Sequence, residues 1–234
     1  MATQKTTAKA SLRLEDGWFI LLLAVIFIPF FVSSSLYDYY AYLNDRHGLA
    51  MSFLKFALLA TMGESLGLRI RQGVYSYDGF GLFPRAVVWG FLGIGIKIAF
   101  VIFNNGSASF LGYMAVENSG TFSSRLLYAF TASSFLNLIF APVMMVAHKV
   151  SDTHILQTGG TVRGLLSRIS VSEILQHVDW KVMWGFVLKR TIPFFWIPAH
   201  TITFMLPASF QVLFAAILGV ALGVILALAA NKRP

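Results

Sequence analysis

The chain has 234 residues, of which 57% are hydrophobic and only 12% charged, with 18 Lys and Arg against 10 Asp and Glu. This composition belongs to multi-span membrane proteins and leaves no length for a sizeable soluble domain. Cysteine is absent, which excludes disulfides, thiolate metal sites and a cysteine nucleophile. The net charge of +8 suits a cytoplasmic face against anionic lipid headgroups. The basic residues are scattered singly, so nucleic acid is not an expected partner.

Residues 1–16 read as a short cytoplasmic tail, basic and hydroxyl-rich over the first 14, with an organelle transit sequence as the alternative. Six apolar runs follow within a single transmembrane domain over 17–230: 17–36, 48–69, 82–103, 123–149, 182–204 and 208–230. Each approaches or exceeds the ~20 residues needed to cross a bilayer. Residues 231–234 form a second cytoplasmic tail. The fold class expected is an all-α integral membrane protein, a bundle of about six helices with both termini on the cytoplasmic side.

Basic residues test that topology. Lys5, Lys9 and Arg13 precede the first run, and Arg46 alone occupies the first connection. Arg69 and Arg71 mark the second connection, the third (104–122) has none, and the fourth holds Lys149, Arg163, Arg168 and Lys181. The fifth has none, and Lys232 and Arg233 end the chain. Rich and poor connections alternate, as six crossings require. Pro207 separates the last two runs, so the fifth could instead be broken or interfacial. In the 150–180 connection, Val162, Leu165, Leu166 and Ile169 recur at helical spacing, and Ser170-Val171-Ser172-Glu173 resembles a capping box. One or two short amphipathic helices on the membrane surface are expected there. Asn104-Asn105-Gly106 and Asn118-Ser119-Gly120 mark the third connection as an external loop.

The stretch 179–207 combines apolar bulk with Lys189, Arg190, three prolines and His200. Such a segment enters a bilayer only if neighbouring helices satisfy its charges and freed backbone groups. Lys55 and Glu64 point to opposite sides of the second run, which places that helix centrally. Glu64 is expected to pair with Lys189 or Arg190 at similar depth, although those two could also snorkel to headgroups. Lys55 and Lys97 are left in the outer half, either lining an anion-attracting vestibule with Asn137 and His200 or reaching outer headgroups. Gly90 and Gly93, and Gly219 with Gly223, form small-residue stripes for close helix packing. His148, Asp152 and His154 give only a weak metal-like spacing, and no catalytic, metal or cofactor motif is found.

Gly63-Glu64, Phe140-Ala141-Pro142, Asp179-Trp180-Lys181-Val182, Trp184, Phe194, Pro198, Phe204 and Val212 occur in an order that resembles the small peroxisomal and mitochondrial inner-membrane protein family. The resemblance covers residues ~40–215. Gly-Glu stands where the family has Gly-Asp, Gly185 where it usually has proline, and six runs replace its usual four. These departures suit a divergent bacterial member. The resemblance implies a non-enzymatic protein with pore-like conduction of small solutes, and it marks Glu64, Pro142, Trp180, Lys181, Trp184 and Pro198 as structural or gating positions.

The expected function is a narrow pore or carrier for small anionic solutes. Lys55, Glu64, Lys97, Asn137, Lys189, Arg190 and His200 are its pore or gating candidates. The alternative is a non-conducting structural or lipid-binding membrane protein. The expected location is a bacterial inner membrane, or else an organelle inner membrane. The partners are the bilayer, its anionic headgroups, small solutes and, in a homo-oligomer, further copies of the chain.

Overall fold

A computed structural model of the chain describes residues 13–231, with no strand among them. Most of both expected tails, residues 1–12 and 232–234, lies outside the described residues. Five helices are long and apolar enough to cross a membrane: Leu14–Val32, Gly48–Gln72, Leu82–Tyr113, Phe122–Gln157 and Ala208–Ile225. The chain divides into two compact units at His47.

The first unit holds α1 (Leu14–Val32) and α2 (Ser34–Arg46). The run expected at 17–36 is therefore not one helix. Ser33 is extended (φ −129°, ψ 105°), and its hydroxyl accepts the Leu36 N–H at 3.2 Å, which starts a new helix. Phe30 meets Tyr40 edge-on, with ring centroids 5.3 Å apart. No α1 side chain is buried, as suits an apolar helix solvated by lipid.

The second unit begins with α3 (Gly48–Gln72) and α4 (Leu82–Tyr113). Then come α5 (Phe122–Phe135), a π-helical turn (Leu136–Phe140) and α6 (Ala141–Gln157). The connection that follows carries α7 (Val162–Leu165), α8 (Val171–Gln176) and α9 (Trp180–Val182). A π-helical segment (Met183–Trp196), α10 (Ile197–Met205) and α11 (Ala208–Asn231) complete it. Helix α3 is central, packed between α4 and α11. Glycine makes both contacts close. A Cβ on Gly93 would lie 2.7 Å from Ser52 O, and one on Gly63 would lie 3.0 Å from the Val220 backbone.

Contacts also give the directions. Glu64 meets Arg85 while Gly93 meets Ser52, so α3 and α4 are antiparallel. Trp89 lies on His148 and Phe110 on Phe135, so the 122–157 helix opposes α4. Ser133 bonds Ile197 O and Arg125 bonds Met205 O, so the 180–205 helix opposes α5. Gly63 approaches Val220 and Gly67 approaches Gly223, so α11 runs parallel to α3.

The two π-helical segments lie where proline enters a helix. Proline lacks the N–H of an α-helical bond, and its ring crowds the carbonyl four residues back. Wider π turns relieve both problems. Pro142 follows the first segment, Pro193 lies inside the second, and Pro198 follows it.

Two expectations for the connections change. Asn104-Asn105-Gly106 is helical, because α4 continues to Tyr113 while Ser107 and Leu111 are buried. The loop proper is 114–121, where Asn118 Oδ1 accepts from Gly120 N and Ser124 Oγ, both at 3.1 Å. In the 150–180 connection, Ser170 makes no side-chain cap bond to α8. Its neighbour helix α7 is capped instead by Thr161, whose hydroxyl accepts Gly164 N–H at 2.9 Å. The connection is pinned to α6 by buried His154, whose Nε2 lies 2.9 Å from Gly164 O, and by Ile174. Val162, Leu166 and Ile169 remain exposed, an apolar stripe of the kind that meets headgroups. The loop after α3 crosses this connection at Gly79–Gly81 and Gly159–Gly160, all but Phe80 there having positive φ.

Candidate functional site

The second unit encloses a cavity of about 540 Å³, bounded by α3, α4, the 136–156 helix, Trp196, His200 and α11. A volume in this range is that of a small-molecule site. Its walls come from one face of each helix: Phe56, Ala60, Gly63, Gly67 and Arg71 on α3, and Arg85, Trp89, Ile96 and Phe100 on α4. Those residues fall on the i, i+4, i+7, i+11 and i+15 positions of a helical stripe. The small residues Ala215, Ala216, Gly219 and Gly223 of α11 supply the opposite wall and its room.

The charged pole is built across three helices. Arg85 is buried (7% exposed), and its Nη1 donates to Glu64 Oε2 at 2.6 Å while also pairing with Asp152 Oδ1. Its Nε donates to Phe80 O at 2.7 Å, and the guanidinium lies 4.3 Å from the Phe80 ring centroid. Glu64 Oε1 accepts from Trp89 Nε1 at 3.0 Å and lies 3.2 Å from His148 Nε2. The Trp89 and His148 rings are 4.3 Å apart. Burying these charges is tolerated because each meets an opposite charge or a donor.

The other end is apolar with a small polar apex. Asn137 is fully buried, and its Nδ2 donates to Ser133 O at 2.8 Å and lies 3.0 Å from His200 Nδ1. His200 Nδ1 also lies 3.2 Å from Asn137 Oδ1, while its Nε2 has no partner among the described residues. Trp196 Nε1 is a buried donor without a partner. The apex is closed by rings: Phe100 packs on His200 (5.6 Å) and Phe204 (5.0 Å), and Trp196 stacks on His200 (5.1 Å). From Arg85 to Phe100 the wall rises about 22 Å at about 1.5 Å per residue. Arg71, Gln72 and Tyr77, all exposed, mark the open mouth at the charged end.

No protein-family model, no curated protein and no solved structure matches this chain. The site must therefore be read from its own chemistry.

Of the pore or gating candidates, Glu64, Asn137 and His200 line the cavity. Lys55 and Lys97 do not. They are neighbours on α3 and α4, in the half of the unit away from the mouth, with Lys97 Cε 3.5 Å from where a Gly48 Cβ would stand. The expected pairing of Glu64 with Lys189 or Arg190 is replaced by Arg85. Lys189 and Arg190 are exposed, on a π-helical segment that continues into α10 and packs on the 136–140 turn rather than along α3. Pro142 sits at the start of α6, and Trp180, Lys181, Trp184 and Pro198 are surface residues. Arg85, which was not among the residues singled out, is the central cation. His148 and Asp152 share a helix face at i, i+4, the one signal of their joint role.

Asn137→Ala is expected to cost about 1–3 kcal/mol, because His200 Nδ1 is left without its amide partner inside the bundle. Thermal denaturation in detergent checks it. An unchanged transition would mean that the Asn137 amide does not hold His200.

Proposed function

We propose that this protein is a six-crossing membrane carrier for small organic solutes, with the cavity as its binding chamber. The observation that carries the reading is a one-ended chamber: charged and open at Arg71, ring-sealed at Phe100, Trp196 and His200. A pore open from end to end needs no such seal, whereas alternating access requires one. The parallel run of α3 and α11 supports the crossing count. Between them lie α4, the 122–157 helix and the 180–205 helix, each reversing direction, so the charged 180–205 stretch traverses the same depth as its neighbours. With α1 the crossings number six. Arg69, Arg71 and Lys149 lie at the mouth end, which by the positive-inside rule faces the cytoplasm.

The unpartnered donor at the apex, Trp196 Nε1, favours a solute bearing an acceptor oxygen. Arg71, which lines the mouth without an ion-pair partner among the described residues, favours an anionic one. Lys55 and Lys97 belong to the far half, on the route a solute would leave by. The family resemblance at Gly63-Glu64 and around Asp179–Trp184 agrees with a non-enzymatic solute pathway in a bacterial inner membrane.

The test is uptake of radiolabelled benzenesulfonate by liposomes containing the purified protein. Uptake is expected to saturate, with no unitary conductance in planar bilayers. Phe100→Ala, which removes the seal, is expected to add a non-saturating chloride leak. Unitary currents from the wild type would replace the carrier reading with a pore. No uptake by inserted protein would favour the lipid-binding alternative.

A further inference from the structure

The charges around the cavity do not balance in the same way in both states of His148. Two carboxylates, Glu64 and Asp152, share one guanidinium, Arg85. With His148 neutral this cluster carries one negative charge in excess, which cancels Arg71 at the mouth. With His148 protonated the cluster is neutral, and the chamber keeps the positive charge of Arg71. The geometry defines which nitrogen takes the proton. His148 Nε2 faces Glu64 Oε1 at 3.2 Å, so neutral His148 carries its hydrogen there and donates it to the carboxylate. Nδ1 is left without a partner among the described residues, on a part-exposed side chain that lines the chamber.

We propose that the cavity loads a small organic monoanion together with one proton, which binds at His148 Nδ1. The proposal rests on the carrier reading and names its substrate class. A proton moves from chamber water to Nδ1, the Nε2–H bond to Glu64 is kept, and no other bond is made or broken. The imidazolium then lies against Glu64 from α3, with Arg85 and Trp89 of α4 and Asp152 of its own helix completing the surroundings. Lys149 is turned to the surface, α11 contributes no charged lining residue, and the 196–200 turn contributes only His200, at the far pole. The chamber gains one positive charge as it receives one negative charge. Desolvating the anion is thereby offset, since an unpaired charge inside the membrane is costly. The apolar middle of the chamber, formed by Phe56, Ala60, Ile96, Met144 and Met145, takes the body of the solute. Proton and anion must then promote each other's binding by the same factor.

The absence of native cysteine provides the experiment. Met145→Cys places a single thiol in the chamber wall, and its maleimide labelling is compared with and without benzenesulfonate, an anion at every pH used. Taking the ratio at each pH removes the thiol's own titration. In the otherwise wild-type chain, the half-protecting concentration is expected to rise about tenfold between about pH 5.5 and 7.5, an effect of one coupled proton. His148→Gln is expected to give weak protection that does not change with pH. Asp152→Asn removes the excess negative charge and is expected to strengthen protection at every pH while keeping a pH dependence, since His148 is still there to take the proton. The two variants therefore depart in opposite directions, which misfolding of either would not produce. Protection with one pH dependence in all three proteins would overturn proton coupling and leave the carrier standing. A thiol that is labelled but never protected would overturn the chamber as a solute site, and the coupling with it.

Discussion

Replacing Arg85 by methionine is expected to destabilise the protein by about 3–5 kcal/mol, the range for removing one partner of a buried ion pair. The loss has three parts. Glu64 and Asp152 are left facing each other across the space the guanidinium filled. Phe80 O loses a 2.7 Å donor, and the Phe80 ring loses its cation. The tie that joins α3, α4 and α6 at one level is also removed. Thermal denaturation in detergent should show a transition lower by roughly 10 °C, at about 2–4 °C per kcal/mol for a chain of this size. Arg163→Met, on the exposed connection, should stay within about 0.5 kcal/mol of wild type. Combining Arg85→Met with Glu64→Gln and Asp152→Asn should restore part of the loss, since the excess charge goes with the cation. Equal transitions for Arg85→Met and Arg163→Met would mean that the ion network does not hold the helices together.

Gly160→Ala is the second large effect, about 2–5 kcal/mol. Gly160 has φ +66°, which costs a side-chain-bearing residue about 1–2 kcal/mol. Its added Cβ would also stand 2.5 Å from Gly79 O and 2.7 Å from Gly81 N, backbone atoms that cannot rotate away. Overpacking of that kind adds about 1–3 kcal/mol. Gly159 provides the comparison: φ is +69°, but nothing lies within 4 Å of its added Cβ. Gly159→Ala should therefore show the backbone strain alone. If the two alanine variants melt together, the close crossing of the two glycine loops is not present in solution. The crossing matters to the site because Gly81 O accepts the N–H of Arg85 at 2.9 Å. It thus helps to position the first turn of α4.

The glycine stripes show how far pattern alone reaches. Gly90 and Gly93 announce a close neighbour on α4, and the structure supplies Phe53, Phe56 and Ser52. Spacing names the face but not the partner. Glu64 shows the limit more sharply. A buried carboxylate demands a cation, and depth along the helices pointed to Lys189 or Arg190. The choice depends on which helices touch. Arg85 belongs to α4, which lies along the whole length of α3, whereas Lys189 and Arg190 lie on a π-helical segment that packs on the 136–140 turn. His148 and Asp152 were legible as a helix-face pair, but their meaning came from a helix more than sixty residues earlier.

Composition and hydropathy by themselves determined that this is an all-helical, membrane-compatible chain, because every backbone polar group in lipid must be satisfied within its own helix. The long apolar helices, the centrality of α3 and the close-packing faces are local or periodic properties, and they can be counted along a sequence. Tertiary structure alone decided where helices end, which charges meet and where the cavity lies. The run at 17–36 breaks at Ser33 for the sake of one cap, and α4 outlasts its apolar run with Ser107 and Leu111 buried beyond it. The chamber exists because small residues on α11 leave room opposite α3 and α6. Empty space between helices is a difference between surfaces, and no single segment encodes it.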